Sequence, residues 1–571
     1  MFEKAVLDEA QAISRKWEGD RTERYDGKEF APAKTESGIP LKPFYSPQDI
    51  ENIDFGEIGL PGEYPYTRGI ELLPRRVEPW VMRMHFGHGE PEVLKKRYEY
   101  LQAAGMAHRV GEDPQKSRPN YFYACDIVSQ QGLDPDDPEA EGRVGYGGST
   151  FCTLDDCARA FDGLELAGLR VQPGSFDTEM ITVAMFMVYA ERRGYQWDQL
   201  MIGTSNVAYR QYWWDTISFP PDKAKKIMAE QIYNTLKRIP LLSFHTNIDG
   251  YNLAESGANV IQELAFSLSL AVDVMEECVK AGLDPDEVAA KFYHHATINL
   301  NFLEQIAKFR ALRRMWAKLF KERLGCKKPQ SLQVVTFPQN GGSCLTAQEP
   351  LNNIVRTTLQ TLIGVLAGVD GIWTACYDEA LNTPADEPQK MAVRLQQIIY
   401  HETDIPDVGD VFGGSYCIES LTSEIEKKGW ALFEEIERQG GAFECWKNGY
   451  FQSEMIKGFN DRQKSINSGE KVMVGVNKYP APRERGLMLE ISPEIEKRAR
   501  ERVAEYRARR NKAKYEAGIV RLRQATKEWD EQWPGSCGSL LPAIIDAVRV
   551  QATLGEIHAV LREVLGHGYC Y

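Results

Sequence analysis

Between about residue 60 and residue 400, short apolar, β-rich runs alternate with longer segments of helical period. The runs are Asn120–Ile127, Leu169–Phe176, Gln199–Ser205, Pro240–Ile248, Ser331–Phe337 and Gly371–Tyr377. Between them lie Thr178–Arg193, Pro221–Arg238, Gly257–Ala281, Asp286–Phe320, Leu351–Ala367 and Pro388–His401. Parallel strands need a crossover and a helix supplies it, so this alternation predicts an α/β fold with parallel strands. The count and length predict a (β/α)8 TIM barrel rather than an open doubly wound sheet. No GxGxxG follows a strand, and the Gly142–Gly148 cluster (GRVGYGG) is too irregular for that fingerprint.

The expected organisation is a helix and extended arm over 1–45, a TIM-barrel domain over 46–420, and a helical region over 421–571. In the last region Ser492–Glu528 reads as one long helical segment. It carries Lys497, Arg498, Arg500, Arg502, Arg507, Arg509 and Arg510, a run that reads first as a solvated face.

With 82 acidic against 68 basic residues the net charge is −14, which argues against general nucleic-acid binding but leaves room for a local cationic site for an anionic ligand. The longest apolar stretch, Met180 to Ala190, is too short to span a bilayer. The charged N-terminus has no secretory h-region, so a cytoplasmic protein is expected. Eleven scattered cysteines form no CxxC, and nine histidines form no HExxH, so no metal site is expected in this chain. His294–His295 is the one adjacent histidine pair, and His245 reads as structural.

A parallel barrel carries its chemistry at the C-terminal ends of the strands. That selects Asp126 to Gln131, Ser205 to Asn206, His245 to Asn252, Gln339 to Ser343, and Asp378 to Glu379. Polar residues within the runs, among them Gln172, Ser175, Thr204, Ser243, Thr246, Asn247, Thr336 and Thr374, point either to a polar guest inside the barrel or simply outward, since strand faces alternate.

Residues 35–47 (TESGIPLKPFYSP), Tyr64–Gly69, Pro79–Trp80, Gly250–Tyr251, Ala307–Trp316 (AKFRALRRMW), Leu345–Thr358, Asp378–Leu381, Gly413–Tyr416 and Val472–Tyr479 occur in order along the chain. Together they resemble the large chain of the methylmalonyl-CoA mutase family. The resemblance implies adenosylcobalamin-dependent radical rearrangement of an acyl-CoA substrate, with the thioester group migrating and the pantetheine arm threading the barrel. The family's cobalt-binding DxHxxG motif is absent from this sequence. A separate small cobalamin-binding subunit is therefore expected, in a heterotetramer.

The resemblance also implies roles. Ile127, Gly148, Glu255, Gly342, Glu379 and Ala380 fall at cofactor positions, and Gln130 falls where the family has a histidine facing the cofactor. Tyr251 and Gln339 match residues beside the reacting centre, and Lys291 stands for a CoA-binding arginine. The family's active-site histidine is Asn252, and a second histidine near the substrate is Phe337. The arginine that holds the free carboxylate falls at Trp214, beside Trp213, and a tyrosine near the radical pair falls at Arg75, beside Arg76. Asn252 can donate a hydrogen bond but does not transfer a proton, and a tryptophan does not pair a carboxylate.

These changes point away from methylmalonyl-CoA. The expectation is that Arg75 binds a carboxylate while Trp213 and Trp214 line space for an aryl malonyl or succinyl ester. Plain packing is the alternative for the tryptophans. For Arg75 the alternative is a CoA-phosphate or surface role. An isobutyryl-CoA or 2-hydroxyisobutyryl-CoA type mutase is the alternative enzyme, and a non-catalytic CoA-ester-binding paralogue the alternative of another class.

Overall fold

The computed structural model describes residues 2–26, 33–73, 75–204, 219–237, 246–483, 491–534 and 539–568. All core strands among them pair in parallel. Val81–Arg83 pairs with Gly371–Trp373, whose other edge meets Gln339–Asn340, and that strand pairs in turn with Thr297–Ile298. Val335–Thr336 pairs with Phe292–His295, and Phe292–His295 with Thr246–Asp249. Tyr121–Ala124, Arg170–Gly174 and Met201–Ile202 form the third sheet, and a parallel bridge from Phe86 to Tyr123 joins it to the Val81–Arg83 strand.

The array curls on itself. Side chains from three strands that are not neighbours meet inside it: Arg83 donates to Gln172 Oε1 at 2.5 Å, and Gln172 Nε2 to the Tyr293 hydroxyl at 3.4 Å. Among the described residues Met201–Ile202 and Thr246–Asp249 do not pair with each other, so the ring is not closed by them. The observed class is mixed α/β with parallel sheets and an outer layer of helices.

Four core strands lie outside the sequence runs: Val81–Arg83, Phe292–His295, Thr297–Ile298 and Gln339–Asn340. Val81–Arg83 is only three residues long. Phe292–His295 lies inside what reads as one helical stretch from Asp286 to Phe320. That stretch is a short helix Pro285–Ala289, the strand, and a helix Phe302–Lys318. Pro285 starts the first helix at a position where its missing N–H costs nothing. The run Ser331–Phe337 is also split, into a turn of helix Pro329–Leu332 and the strand Val335–Thr336.

The charged Ser492–Glu528 segment is two helices, Pro493–Arg509 and Lys512–Gln532, separated where Asn511 caps the second through Lys514 N–H. Its arginines are not a free solvated face. Arg498 and Arg502 bind Glu90 at 2.9 and 2.8 Å, Arg507 reaches Asp134 at 2.7 Å and Asp136 at 2.5 Å, and Arg509 reaches Asp155. Glu90, Asp134 and Asp136 belong to loops that follow Val81–Arg83 and Tyr121–Ala124, and Asp155 to the helix Leu154–Phe161, so the run ties the C-terminal region to the rim of the array.

The Phe302–Lys318 helix carries four buried cations. Arg310 bonds Asp410 at 2.8 Å and also Glu419, while Arg313 donates to the carbonyls of Thr67 at 3.0 Å and Ala367 at 2.8 Å. Arg314 meets Glu426 at 3.0 Å, and Lys308 meets Glu263 at 2.9 Å. Removing one partner of a buried ionic network strands the other charge. Arg310→Met is therefore expected to destabilise the fold by about 3–5 kcal/mol, read as a lower midpoint in denaturant; an unchanged midpoint contradicts the network's role.

Candidate functional site

The C-terminal ends of the strands bring most of the sequence-selected residues together. Tyr251 opens the short helix Tyr251–Glu255 directly after the strand Thr246–Asp249. Asn252 is buried, its side-chain amide donating to Asp249. Gln339 lies in a strand between Thr297 and Trp373. Glu255 accepts the Ser343 N–H and hydroxyl, both at 2.9 Å, and so fixes the turn that begins at Gly342. Burial raises the Glu255 carboxyl above its usual range. Glu379 turns its carboxyl onto the Cys376 N–H at 2.9 Å, and burial, with Asp378 and Glu255 nearby, pushes it up to about 7. Ala380 follows in the same turn, half-buried.

On the opposite rim Ile127 is exposed and Gln130 donates to the Cys125 carbonyl at 2.6 Å. The glycine cluster has a definite use. Asp126 accepts the Gly145 N–H at 2.6 Å and the Ser129 N–H at 2.9 Å, which folds Gly142–Gly148 back over the strand end. Gly145 and Gly147 have positive φ. A Cβ at Gly148 would overlap the Cys125 carbonyl, whereas Gly147 faces open space.

Other expectations part company with the site. Arg75 lies at the other end of the array, beside Gly368–Asp370, which precede a strand. Its guanidinium donates to the carbonyls of Val365, Val408 and Gly409, so its hydrogen bonds already serve the backbone, and it gives no support to a carboxylate-binding role. Burial lowers its pKa to about 10. Arg76 is exposed next to it. Thr204 lines a small space with Ile202, Met180, Val183 and Gln231, so it faces the helical layer, as alternation from Ile202 requires. Lys291 stands before the strand Phe292–His295, at the far end from Tyr251, its pKa lowered by burial. Trp213, Trp214 and His245 lie outside the described residues.

The sequence missed the centre of the array. Arg83 is fully buried there, its guanidinium 4.5 Å from the rings of Phe337 and Trp373, 5.5 Å from Tyr293 and 5.7 Å from Phe122. Burial lowers its pKa. His85 packs 3.6 Å from Trp373 and 4.0 Å from Phe122, measured between ring centres. It borders a cavity of about 220 Å³ shared with Gln339, Arg97, Glu379 and Gln389. His295 stacks on Tyr251 at 5.0 Å and faces Asp249 at 3.6 Å. The adjacent histidine pair was the one available signal. The strand separates the two, since His294 points outward to the Ser267 hydroxyl at 2.8 Å.

Residues 34–567 match the family model described as methylmalonyl-CoA mutase. The chain belongs to the methylmalonyl-CoA mutase family. A 2-hydroxyisobutanoyl-CoA mutase large subunit of Aquincola tertiaricarbonis is 31% identical over 579 residues, covering 99% of this chain and 98% of that protein. The methylmalonyl-CoA mutase of Rhizobium meliloti is 31% identical over 536 residues, 93% of this chain and 72% of its own length. The human mitochondrial methylmalonyl-CoA mutase is 31% identical over 571 residues, 99% of this chain and 73% of its own. No helix among the described residues is long and apolar enough to cross a membrane.

The Glu379 carboxyl stays protonated in the folded chain up to about 7 but ionises near 4.5 when unfolded. Its contribution to stability is therefore full below pH 4.5 and is lost as pH rises towards 7. Glu379→Gln is expected to gain stability relative to the parent across that window, measured by denaturant titration at several pH values; parallel curves contradict the shift.

Proposed function

We propose that this chain is the large, substrate-binding subunit of an adenosylcobalamin-dependent acyl-CoA mutase, with its strands closed into a TIM barrel around the acyl group. The observation that carries the substrate assignment is Arg83 within its aromatic walls, Phe122, Tyr293, Phe337 and Trp373. A guanidinium pairs a carboxylate through two parallel hydrogen bonds, and aromatic walls favour an aryl group. The favoured substrate is an aryl-substituted malonyl/succinyl-CoA pair, with Arg83 taking the carboxylate role that the sequence suggested for Arg75.

The rim residues fit a broad cofactor. Gly147 leaves open space beside exposed Ile127 and Tyr146, and the carboxyls of Glu255 and Glu379 are held on the other rim. Ile127, Gln130, Gly148, Glu255, Gly342, Glu379 and Ala380 would hold adenosylcobalamin against a small partner subunit that supplies the cobalt ligand. When bound, that cofactor supplies a carbon-centred radical. The chain's own residues bind and orient the thioester and exclude water. Tyr251 and Gln339 flank the acyl group, and Asn252 serves the site by fixing Asp249. A heterotetramer in the cytoplasm fits this reading.

A second reading, a 2-hydroxyisobutyryl-CoA type mutase, is favoured by the near-complete overlap with the Aquincola large subunit. The test combines this chain, a cobalamin-binding small subunit, adenosylcobalamin and a panel of thioesters, with isomers separated by mass-resolved chromatography. Isomerisation of benzylmalonyl or arylsuccinyl esters supports the first reading. Turnover confined to 2-hydroxyisobutyryl or isobutyryl esters supports the second, and bound cofactor without turnover of any ester favours the non-catalytic paralogue. Arg83→Lys keeps the charge and loses the planar fork. It is expected to raise KM for the aryl dicarboxylic ester about 10- to 100-fold, the value of a charged hydrogen bond; an unchanged KM removes Arg83 from carboxylate binding.

A further inference from the structure

A second cavity, of about 460 Å³, borders the Glu255 rim. It lies between the N-terminal arm at residues 34–36, the loop 257–260, residues 299–305 and the helix Tyr450–Ser468. No aromatic ring among the described residues lines it. Its charges are matched within the protein. Lys34 meets Glu470 at 3.5 Å, Lys471 meets Glu36 at 2.5 Å, Lys464 meets Asp461 at 3.6 Å and Lys308 meets Glu263 at 2.9 Å.

What remains in the lining is carboxamide: Asn259, Gln262, Asn299, Asn301 and Gln305. Gln262 is committed to the Asn259 N–H and to Glu454, and Asn299 Oδ1 accepts the Cys344 thiol at 3.2 Å. Asn301 precedes the helix Phe302–Lys318 without a capping bond from its side chain. Gln305, four residues on and so on the same face, is 2% exposed, and its Oε1 has no hydrogen-bond partner among the described residues. A buried amide oxygen left unpaired is costly, and native proteins keep few of them. Beside a cavity, it points to a ligand that supplies an N–H.

The cavity shares a wall with the rim assigned to the cofactor. Arg462 donates to the Ser343 hydroxyl and carbonyl, both at 2.9 Å, and Ser343 is the residue that Glu255 holds. A Cβ at Gly341 would lie 2.3 Å from Asn299 Oδ1 and 2.9 Å from Glu255 Oε1, so the amide wall and the Glu255 carboxyl meet at one turn.

We propose that this cavity is a carboxamide-binding subsite that takes amide side chains from the edge of the corrin, with Gln305 and Asn301 as its contacts. The proposal rests on the mutase reading above. A corrin carries acetamide and propionamide chains around its edge. They are neutral, and each amide brings two N–H donors and an acceptor oxygen. Gln305 Oε1 takes an N–H from such a group, and Asn301 offers both a donor and an acceptor. A charged ligand would stay unpaired among ions that are already matched. A nucleobase or aryl group finds no ring here to stack on.

The test uses the complex of this chain with its cobalamin-binding small subunit. Equilibrium dialysis of adenosylcobalamin in the dark, followed by absorbance, reads retention without turnover. Gln305→Leu removes the orphaned oxygen at nearly constant volume. It is expected to weaken retention about 3- to 10-fold, the value of one neutral hydrogen bond. Its denaturation midpoint is expected to stay level or rise, because an unpaired buried polar atom has gone; a merely structural glutamine would lower it. Asn301→Ala, the second variant should the first fold poorly, is expected to weaken retention by a similar factor. A second arm compares cobinamide, whose edge carries amides, with cobyrinic acid heptamethyl ester, whose edge carries acceptors but no N–H. The parent complex is expected to favour the amide corrin at least about tenfold, and the Gln305→Leu/Asn301→Ala double variant less than about threefold. Retention unchanged in both single variants, or an amide preference that survives in the double variant, overturns the subsite and leaves the cofactor assignment standing. A parent complex that retains no adenosylcobalamin overturns the mutase reading and the subsite with it.

Discussion

Lys308 is the constraint on which the site's geometry rests. It is fully buried, and it donates to Glu263 Oε2 at 2.9 Å and to the Thr297 carbonyl. The other oxygen of Glu263 takes the Thr297 N–H at 2.9 Å, and the Thr297 hydroxyl donates to the Tyr251 carbonyl at 3.2 Å. One charge pair thus fixes the helix Val260–Lys280, the strand segment Thr297–Ile298, and the start of the helix that carries Tyr251. Burying two charges costs several kcal/mol per ion (about that, after relaxation), which only a fully hydrogen-bonded arrangement offsets. Geometry is what such a network secures: Tyr251 does not slide against His295 without breaking it.

The rim is held by a different chemistry. Surface ion pairs contribute little one by one, but the arginines of Pro493–Arg509 act on several loops at once. Glu90 takes two of them, and Asp134 takes Arg507 while also accepting from Thr553 and the Gly555 N–H. The loops after the first two strands are therefore braced from the C-terminal region, on the side where Asp126 folds the glycine cluster. A net acidic chain can afford this because its arginines are concentrated where its loop acids are.

The alternation of runs and helices was legible from composition and period, and six of the strand positions follow from it with shifted ends. The strands Val81–Arg83 and Phe292–His295 were not legible, for physical reasons. The first is too short for period to register, and the second mixes aromatic and imidazole rings that read equally well on a helix. Of the site, Tyr251, Gln339 and Glu379 were legible as residues past strand ends, Asp249 fell within the selected stretch His245 to Asn252, and Glu255 came from the family resemblance alone. Arg83 and His295 were not, because each sits within a strand, where an inward polar side chain looks the same as an outward one until neighbouring strands are in place. Arg75 misled for the converse reason: a lone arginine in a sequence does not reveal that three carbonyls already await it.

The departures from the family that the resemblance implies come in pairs that physical chemistry couples. Phe337, which the resemblance sets at one family histidine position, has its ring 4.5 Å from the Arg83 guanidinium. A phenyl face attracts a cation, whereas a histidine there would lose its charged form to the neighbouring guanidinium. Asn252, which the resemblance sets at the other histidine position, donates to Asp249. An imidazole at 252 would compete with His295 for the same carboxylate, while a neutral amide shares it.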